Sequence, residues 1–159
     1  MKAKDLMEPV KASLKPGDGL QEFIDNVKTA MSCGMTCGVR SLPVLDQGDR
    51  PVGVLSMFDI LKAVYPVYLY STDLHLFTWD GMLESLAKEV AGKKVSDLMT
   101  KPVITVKEDH PLMECVDQMV KHHISTIFVV SENGKLLGTL YEDDIFFVIA
   151  DAIQGGRQP

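Results

Sequence analysis

This chain repeats itself after about ninety residues, and that repeat limits its fold more than any other feature. Asp5-Leu6-Met7 returns as Asp97-Leu98-Met99, Pro9-Val10 as Pro102-Val103, and Leu20 with its helical pattern as Leu112. Gly53-Val54-Leu55-Ser56-Met57-Phe58-Asp59-Ile60 returns as Gly138-Thr139-Leu140-Tyr141-Glu142-Asp143-Asp144-Ile145. Two copies of some sixty residues are too long and too few for a solenoid. They predict two similar half-domains packed about a pseudo-twofold axis, a join that makes a cleft where a ligand can sit. The offset is 92 at Asp5 and 85 at Gly53, so copy one carries seven extra residues, around Met31 to Cys37.

Each copy shows the same order of elements. After the Pro-Val turn comes a brief extended piece, in copy two Val103-Ile104-Thr105-Val106, which is β-branched throughout. A helix follows, with apolar Leu20, Phe23, Ile24 and Val27 in copy one and Leu112, Cys115, Val116 and Met119 in copy two. Both sets keep the i, i+3, i+4, i+7 spacing of a single buried face. Ser41 to Leu45 then pairs with Val52 to Leu55 across a loop containing Gly48. Thr126 to Val130 pairs with Leu136 to Leu140 across Asn133-Gly134, a dipeptide suited to tight hairpin turns. A helix beginning near Met57 or Glu142 closes each copy.

The expected fold class is α+β (α/β): two β-α-β-β-α repeats, residues 1–64 and 95–153, with a helical connector over 65–94 and a flexible tail over 154–159. Tyr65-Pro66 should end the first closing helix, since proline lacks an amide and restricts its predecessor. Val67 to Leu76 is aromatic-rich, and Met82 to Val90 reads as a short amphipathic helix ending at Gly92. The aromatic stretch, which runs on to Trp79, is either a cover over the core or an oligomer contact.

Charge and cysteine usage narrow the function. The net charge is −6, with −1 on residues 1–94 and −5 on residues 95–159. No basic stripe is present to neutralise a nucleic-acid backbone, so nucleic acid is not an expected partner. A small phosphorylated ligand needs only one or two local donors. No apolar run follows Met1-Lys2-Ala3-Lys4 and no segment has the length of a membrane span. Three cysteines without an export signal argue for a reducing compartment, and the expected location is the cytoplasm.

The repeated phrase Gly-x-x-(Ser)-x-x-Asp falls at a strand-to-helix junction. Ser56 and Asp59, three residues apart, fit a helix capping box. The same pair, beside the exposed amides of a helix N-terminus, also fits a ribose diol and a phosphate. Cys33 and Cys37 have a spacing open to a metal or a reversible disulfide, but no second Cys/His pair accompanies them, and no metal site is expected. His122-His123 reads as a pair of exposed turn histidines, with a phosphate contact as the alternative. Cys115 belongs to a core face, and Glu142-Asp143-Asp144 makes an acidic first helical turn that suits the helix dipole.

The order of elements, with Arg40-Ser41-Leu42-Pro43-Val44 and Gly53 to Asp59 in copy one and Val95 to Thr100 and Gly138 to Asp144 in copy two, resembles the cystathionine-β-synthase (CBS) domain. The resemblance spans both copies and implies a stand-alone tandem CBS pair, or Bateman module. Such modules are regulatory and bind adenosine-containing ligands in two related clefts. It implies that Asp59 bonds ribose hydroxyls, that Ser56 meets ribose or phosphate and that Arg40 contacts phosphate, a role suited to its fixed fork of donors. Leu42, Pro43 and Ile127 join the nucleotide-binding set as neighbours in the same phrases, and Thr105 matches a position near the base. Copy two keeps Asp144 but has Tyr141 for the Ser/Thr, Ser125 for Arg40 and Phe128 for Pro43. The second site is therefore expected to be altered or closed, with Tyr141 filling it.

No nucleophile–base–orienter set and no Gly-rich phosphate loop is visible, so catalysis is not expected and no cofactor is required. The leading expectation is a sensor for AMP, ADP or ATP that acts on an effector protein, as a homodimer. The alternatives are a ligand-free dimerisation or protein-interaction module, and a sensor of S-adenosylmethionine or of redox state. Arg40, as the one obvious phosphate ligand, favours few phosphates.

Overall fold

The structure, a computed structural model, describes residues 1–32, 40–66 and 81–155. In chain order its elements are α1 (Ala3–Leu6), β1 (Glu8–Pro9), α2 (Leu20–Ser32), β2 (Ser41–Leu45), β3 (Pro51–Ser56), α3 (Met57–Val64), α4 (Met82–Ala91), α5 (Val95–Leu98), β4 (Thr105–Lys107), α6 (Leu112–His122), β5 (Thr126–Val130), β6 (Leu136–Tyr141) and α7 (Glu142–Ile153). Residues 33–39, with Cys33 and Cys37, residues 67–80, with Trp79, and the last four residues lie outside the described set.

The helical faces follow the apolar spacing. Leu20, Phe23 and Val27 of α2 are buried with Leu42, Val44 and Leu55 in one core, and Cys115 and Met119 of α6 with Ile127, Val129 and Leu140 in a second. Ile24 is 38% exposed, so the buried stripe of α2 is narrower than its sequence pattern. The expected strand segments pair as hairpins, with Leu42 opposite Leu55 and Ile127 opposite Leu140. Gly134 takes the positive φ (81°) of the second turn, but in the first turn Asp49 does so (φ 58°) rather than Gly48. Asp46 Oδ1 holds that first turn, accepting from the amides of Gly48 and Arg50 at 2.8 and 3.0 Å.

The first strand of each repeat differs between copies. In repeat two, β4 runs parallel to β5 over Thr105, Val106 and Lys107. In repeat one the matching contact shrinks to a bridge between Leu14 and Val44. Pro16 explains the difference, since it follows two residues later and cannot donate to a ladder.

The two entry segments cross over. Ala3, fully buried, packs in the core of repeat two, and Val95, also fully buried, packs in that of repeat one. The amide of Ala3 donates to His110 O at 2.9 Å, and the amide of Val95 donates to Asp18 O at 2.8 Å. β1 pairs with β6, Glu8 opposite Thr139, while Thr100 bridges Val54 of β3. Each contact maps onto its counterpart by the sequence offsets, which is the pseudo-twofold relation in physical form. The sheet order is β1-β6-β5-β4 for repeat two and β2-β3 for repeat one. Each entry segment thus completes the sheet of the other repeat, and the two halves are tied together along both seams.

Candidate functional site

The exchange creates the site. Thr100 bridges the end of β3, so the segment that follows it crosses the mouth of the junction between β3 and α3. A cleft of about 840 Å³ opens there, within the usual range for small-ligand sites, about 300–1,000 Å³. Repeat one lines it with Arg40, Ser41, Ser56, Asp59 and Lys62, among others. Thr100 to Ile104 and His122 to Thr126 line it from the second half of the chain.

At the start of α3 the capping box is complete. The Ser56 amide donates to Asp59 Oδ2 at 2.8 Å, the Ser56 hydroxyl donates to the same oxygen at 2.9 Å, and the Asp59 amide donates back to Ser56 Oγ at 3.1 Å. Asp59 Oδ1 accepts from Thr100 Oγ1 at 2.8 Å and from Lys62 Nζ at 3.2 Å. The residue is 5% exposed. Burial pushes its carboxyl up, but the bonds from the Ser56 amide, the Thr100 and Ser56 hydroxyls and Lys62 outweigh burial and hold it below the usual carboxylate value. A carboxylate offers about four lone-pair sites, and here all four are engaged. Lys62 is the donor held most loosely, with half its side chain exposed. The cap therefore faces the cleft, and displacement of Lys62 would free one lone-pair site of Asp59 for a donor entering the cleft.

At the matched junction of repeat two the chemistry differs. Tyr141, where repeat one has Ser56, is 5% exposed, and Lys11 lies over its ring, with Nζ 5.6 Å from the centroid. Burial raises the Tyr141 phenol above its ordinary value. Glu8 occupies the place of Thr100 and pairs with Lys11 at 2.5 Å. It gives Asp144 no hydroxyl donor, and Asp144 Oδ2 is buried without a hydrogen-bond partner among the described residues. Burial, then the Glu8 carboxylate, raises the Asp144 carboxyl, against the Tyr141 amide and Lys11, which lower it.

The residues singled out in the sequence are placed as follows. Arg40, Ser56, Asp59 and Ser125 line the cleft together. Leu42, Pro43 and Ile127 are buried strand residues, Thr105 is an exposed residue of β4, and Tyr141 and Asp144 stand at the second junction. Sequence reasoning did not single out Thr100, Lys62 or Lys101. Thr100 reaches Asp59 across 41 residues, and no local pattern signals that contact. His122 and His123 are exposed at the end of α6, as the turn reading has them, and they also line the cleft. Among the described residues no three His, Cys, Asp or Glu side chains gather as a metal-ligand set, and no helix is long and apolar enough to cross a membrane.

Comparison with known proteins agrees with this architecture. The CBS domain family matches residues 3–66 and 95–151. CBS domain-containing protein CBSX2, chloroplastic, of Arabidopsis thaliana is 30% identical over 114 residues, 67% of this chain and 48% of that protein. The crystal structure of CBSX2 in complex with AMP superimposes with a TM-score of 0.65 at 25% identity, covering 98% of each chain. Homoserine O-acetyltransferase of Methanosphaera stadtmanae is 25% identical over 119 residues, 75% of this chain but 19% of the enzyme, so the match is to a small part of it. The chain spans from about a fifth to about half the length of the first curated relatives it matches. The repeated sequence, the exchanged entry segments and the family match together make this chain a member of the CBS-domain family, built as a tandem pair of CBS domains.

Proposed function

We propose that the cleft beside α3 is a regulatory site for a phosphorylated, adenosine-containing ligand, and that its occupancy is passed to a second copy of the chain or to an effector protein. The observation that carries this reading is Asp59: a nearly buried, ionised carboxylate facing an open cleft at a helix N-terminus, with one of its donors, Lys62, easily displaced. A ribose diol supplies the hydroxyls that such a carboxylate accepts, and Arg40 stands at the same helix turn for a phosphate. That CBSX2 holds AMP supports adenosine as the nucleoside. The junction with Tyr141 and Asp144 is read as closed to a second nucleotide.

A route outward lies in His123, Ile124 and Ser125, which line both this cleft and a second groove of about 490 Å³ between α6 and α7. That groove carries exposed Val120, Phe146 and Ile149, apolar surface suited to a homodimer contact. A ligand changes the assembly only through a difference in affinity between two arrangements.

Thermal melting against adenine and guanine nucleotides and S-adenosylmethionine tests the reading. A ligand at a hundred times its dissociation constant stabilises by about 2.7 kcal/mol. A shift with adenine nucleotides that disappears in Asp59→Asn is the expected result. A flat panel for nucleotide-free protein supports a ligand-free interaction module instead, the reading favoured by the exposed Phe58, Leu61, Phe146 and Phe147.

A further inference from the structure

We infer that this cleft takes a nucleotide carrying more than one phosphate and prefers the triphosphate to the monophosphate. The inference rests on the adenosine reading above and specifies its ligand class. It starts from the imbalance of charge around the cleft. Among the described residues five side chains with N–H donors line it, Arg40, Lys62, Lys101, His122 and His123, against a single carboxylate, Asp59. This contrasts with a chain whose net charge is −6.

The placement of these groups is specific. The Met57 amide donates to Arg40 O at 2.8 Å, which fixes Arg40 beside the first turn of α3. Lys101 follows Thr100, whose hydroxyl bonds Asp59. Two permanent cations thus flank the carboxylate that would hold the ribose. His122 and His123 come from the end of α6 on the other repeat, where His123 takes a left-handed conformation (φ 52°). Arg40, Lys101, His122 and His123 make no side-chain hydrogen bond or ion pair with any described residue, so their donors are available to a ligand. Lys62 becomes available when a ribose hydroxyl replaces it on Asp59.

A single phosphate brings about two negative charges, which Arg40 and one lysine balance. The remaining lysine and the ring N–H donors of the two histidines then stay unpaired in a cleft whose walls concentrate the field of its charges. A triphosphate meets them all, with charge-assisted bonds at each contact. The sequence alone favoured few phosphates because Arg40 was the one evident ligand; the fold adds Lys101 and the two histidines.

Isothermal titration of the whole chain with AMP, ADP and ATP tests the inference. ATP is expected to bind at least about tenfold tighter than AMP, with ADP between them and a steeper loss of ATP affinity as salt rises. Lys101→Met and the double variant H122N/H123N should lower ATP affinity more than AMP affinity, narrowing the ratio. Asparagine tolerates the left-handed backbone of position 123, and an unchanged circular dichroism spectrum and melting temperature verify that the variants fold. AMP binding equal to or tighter than ATP overturns the inference and leaves the adenosine reading standing. No binding by any of the three overturns both.

Discussion

Thr100 donates a 2.8 Å hydrogen bond to Asp59 across the seam between the repeats, whereas Glu8, its counterpart across the other seam, offers Asp144 a second carboxylate. The same backbone exchange therefore has opposite electrostatic results. One acid is stabilised as an anion and the other is discouraged from ionising. This difference separates the two junctions more sharply than the loss of a serine alone.

The two acids should respond oppositely to the same substitution. Asp59→Asn removes an ionised acceptor with four donors and is expected to cost about 1–3 kcal/mol in urea unfolding at pH 7. Asp144→Asn relieves a half-buried carboxylate facing Glu8 and gives it a donor, so the melting temperature should rise by roughly a degree or two. A fall in stability for both variants would show that the repeats do not differ in this way.

Their pH dependences also differ in sign. The Asp59 carboxyl lies below its ordinary value, so its contribution is present above the unfolded carboxylate range, near pH 4, and is lost as pH falls through the folded value. The Asp144 carboxyl lies above its ordinary value, so its contribution is full at acid pH and is lost as pH rises through the folded value. Melting curves from pH 3 to 8 should show a shallower acid limb for Asp59→Asn. For Asp144→Asn the gain over the wild type should vanish in acid.

Thr100→Val keeps the shape of the side chain and removes its donor. It should destabilise by about 1–2 kcal/mol and weaken nucleotide binding, because one Asp59 oxygen is left with the half-exposed Lys62 as its partner. Thr100→Ser should restore both properties. Denaturant titration and calorimetry on the three proteins decide the point.

The glycines at the two seams are matched but not equivalent. A Cβ on Gly138 would lie 2.7 Å from the backbone oxygen of Glu8, while one on Gly53 would meet the side chain of Met99. A methionine side chain can move and a paired strand cannot. Gly138→Ala should cost about 1–3 kcal/mol, and clearly more than Gly53→Ala. Equal costs would mean that β1 yields as readily as a side chain.

Much of the fold was legible because it is written in local patterns. The spacing of Leu20, Phe23 and Val27 specifies a helix face, and Asn133-Gly134 specifies a turn, without reference to the rest of the chain. Asp59 and Ser56 were legible for the same reason, since a cap lies within one helical turn. Ile24 shows the limit of such patterns: spacing gives the axis of a buried stripe, while its width depends on what packs against it. Thr105 likewise lies on the expected strand but outside the cleft lining, because its side chain's direction follows from the pairing with β5.

From the sequence alone came the two repeats, their elements, their offset and the chemical inequality of Ser56 and Tyr141. Those properties depend on residues close together in the chain or on comparison of one copy with the other. Tertiary structure decided that α1 and α5 exchange partners, that Thr100 rather than a residue of repeat one completes the bonds of Asp59, and that Lys101, His122 and His123 join Arg40 around one cleft. These contacts join segments separated by tens of residues, and they form where burial of Ala3 and Val95 stabilises the crossed arrangement. Hydrophobic burial is non-directional, so an apolar pattern states that a face will be covered, and only the packed chain states by what.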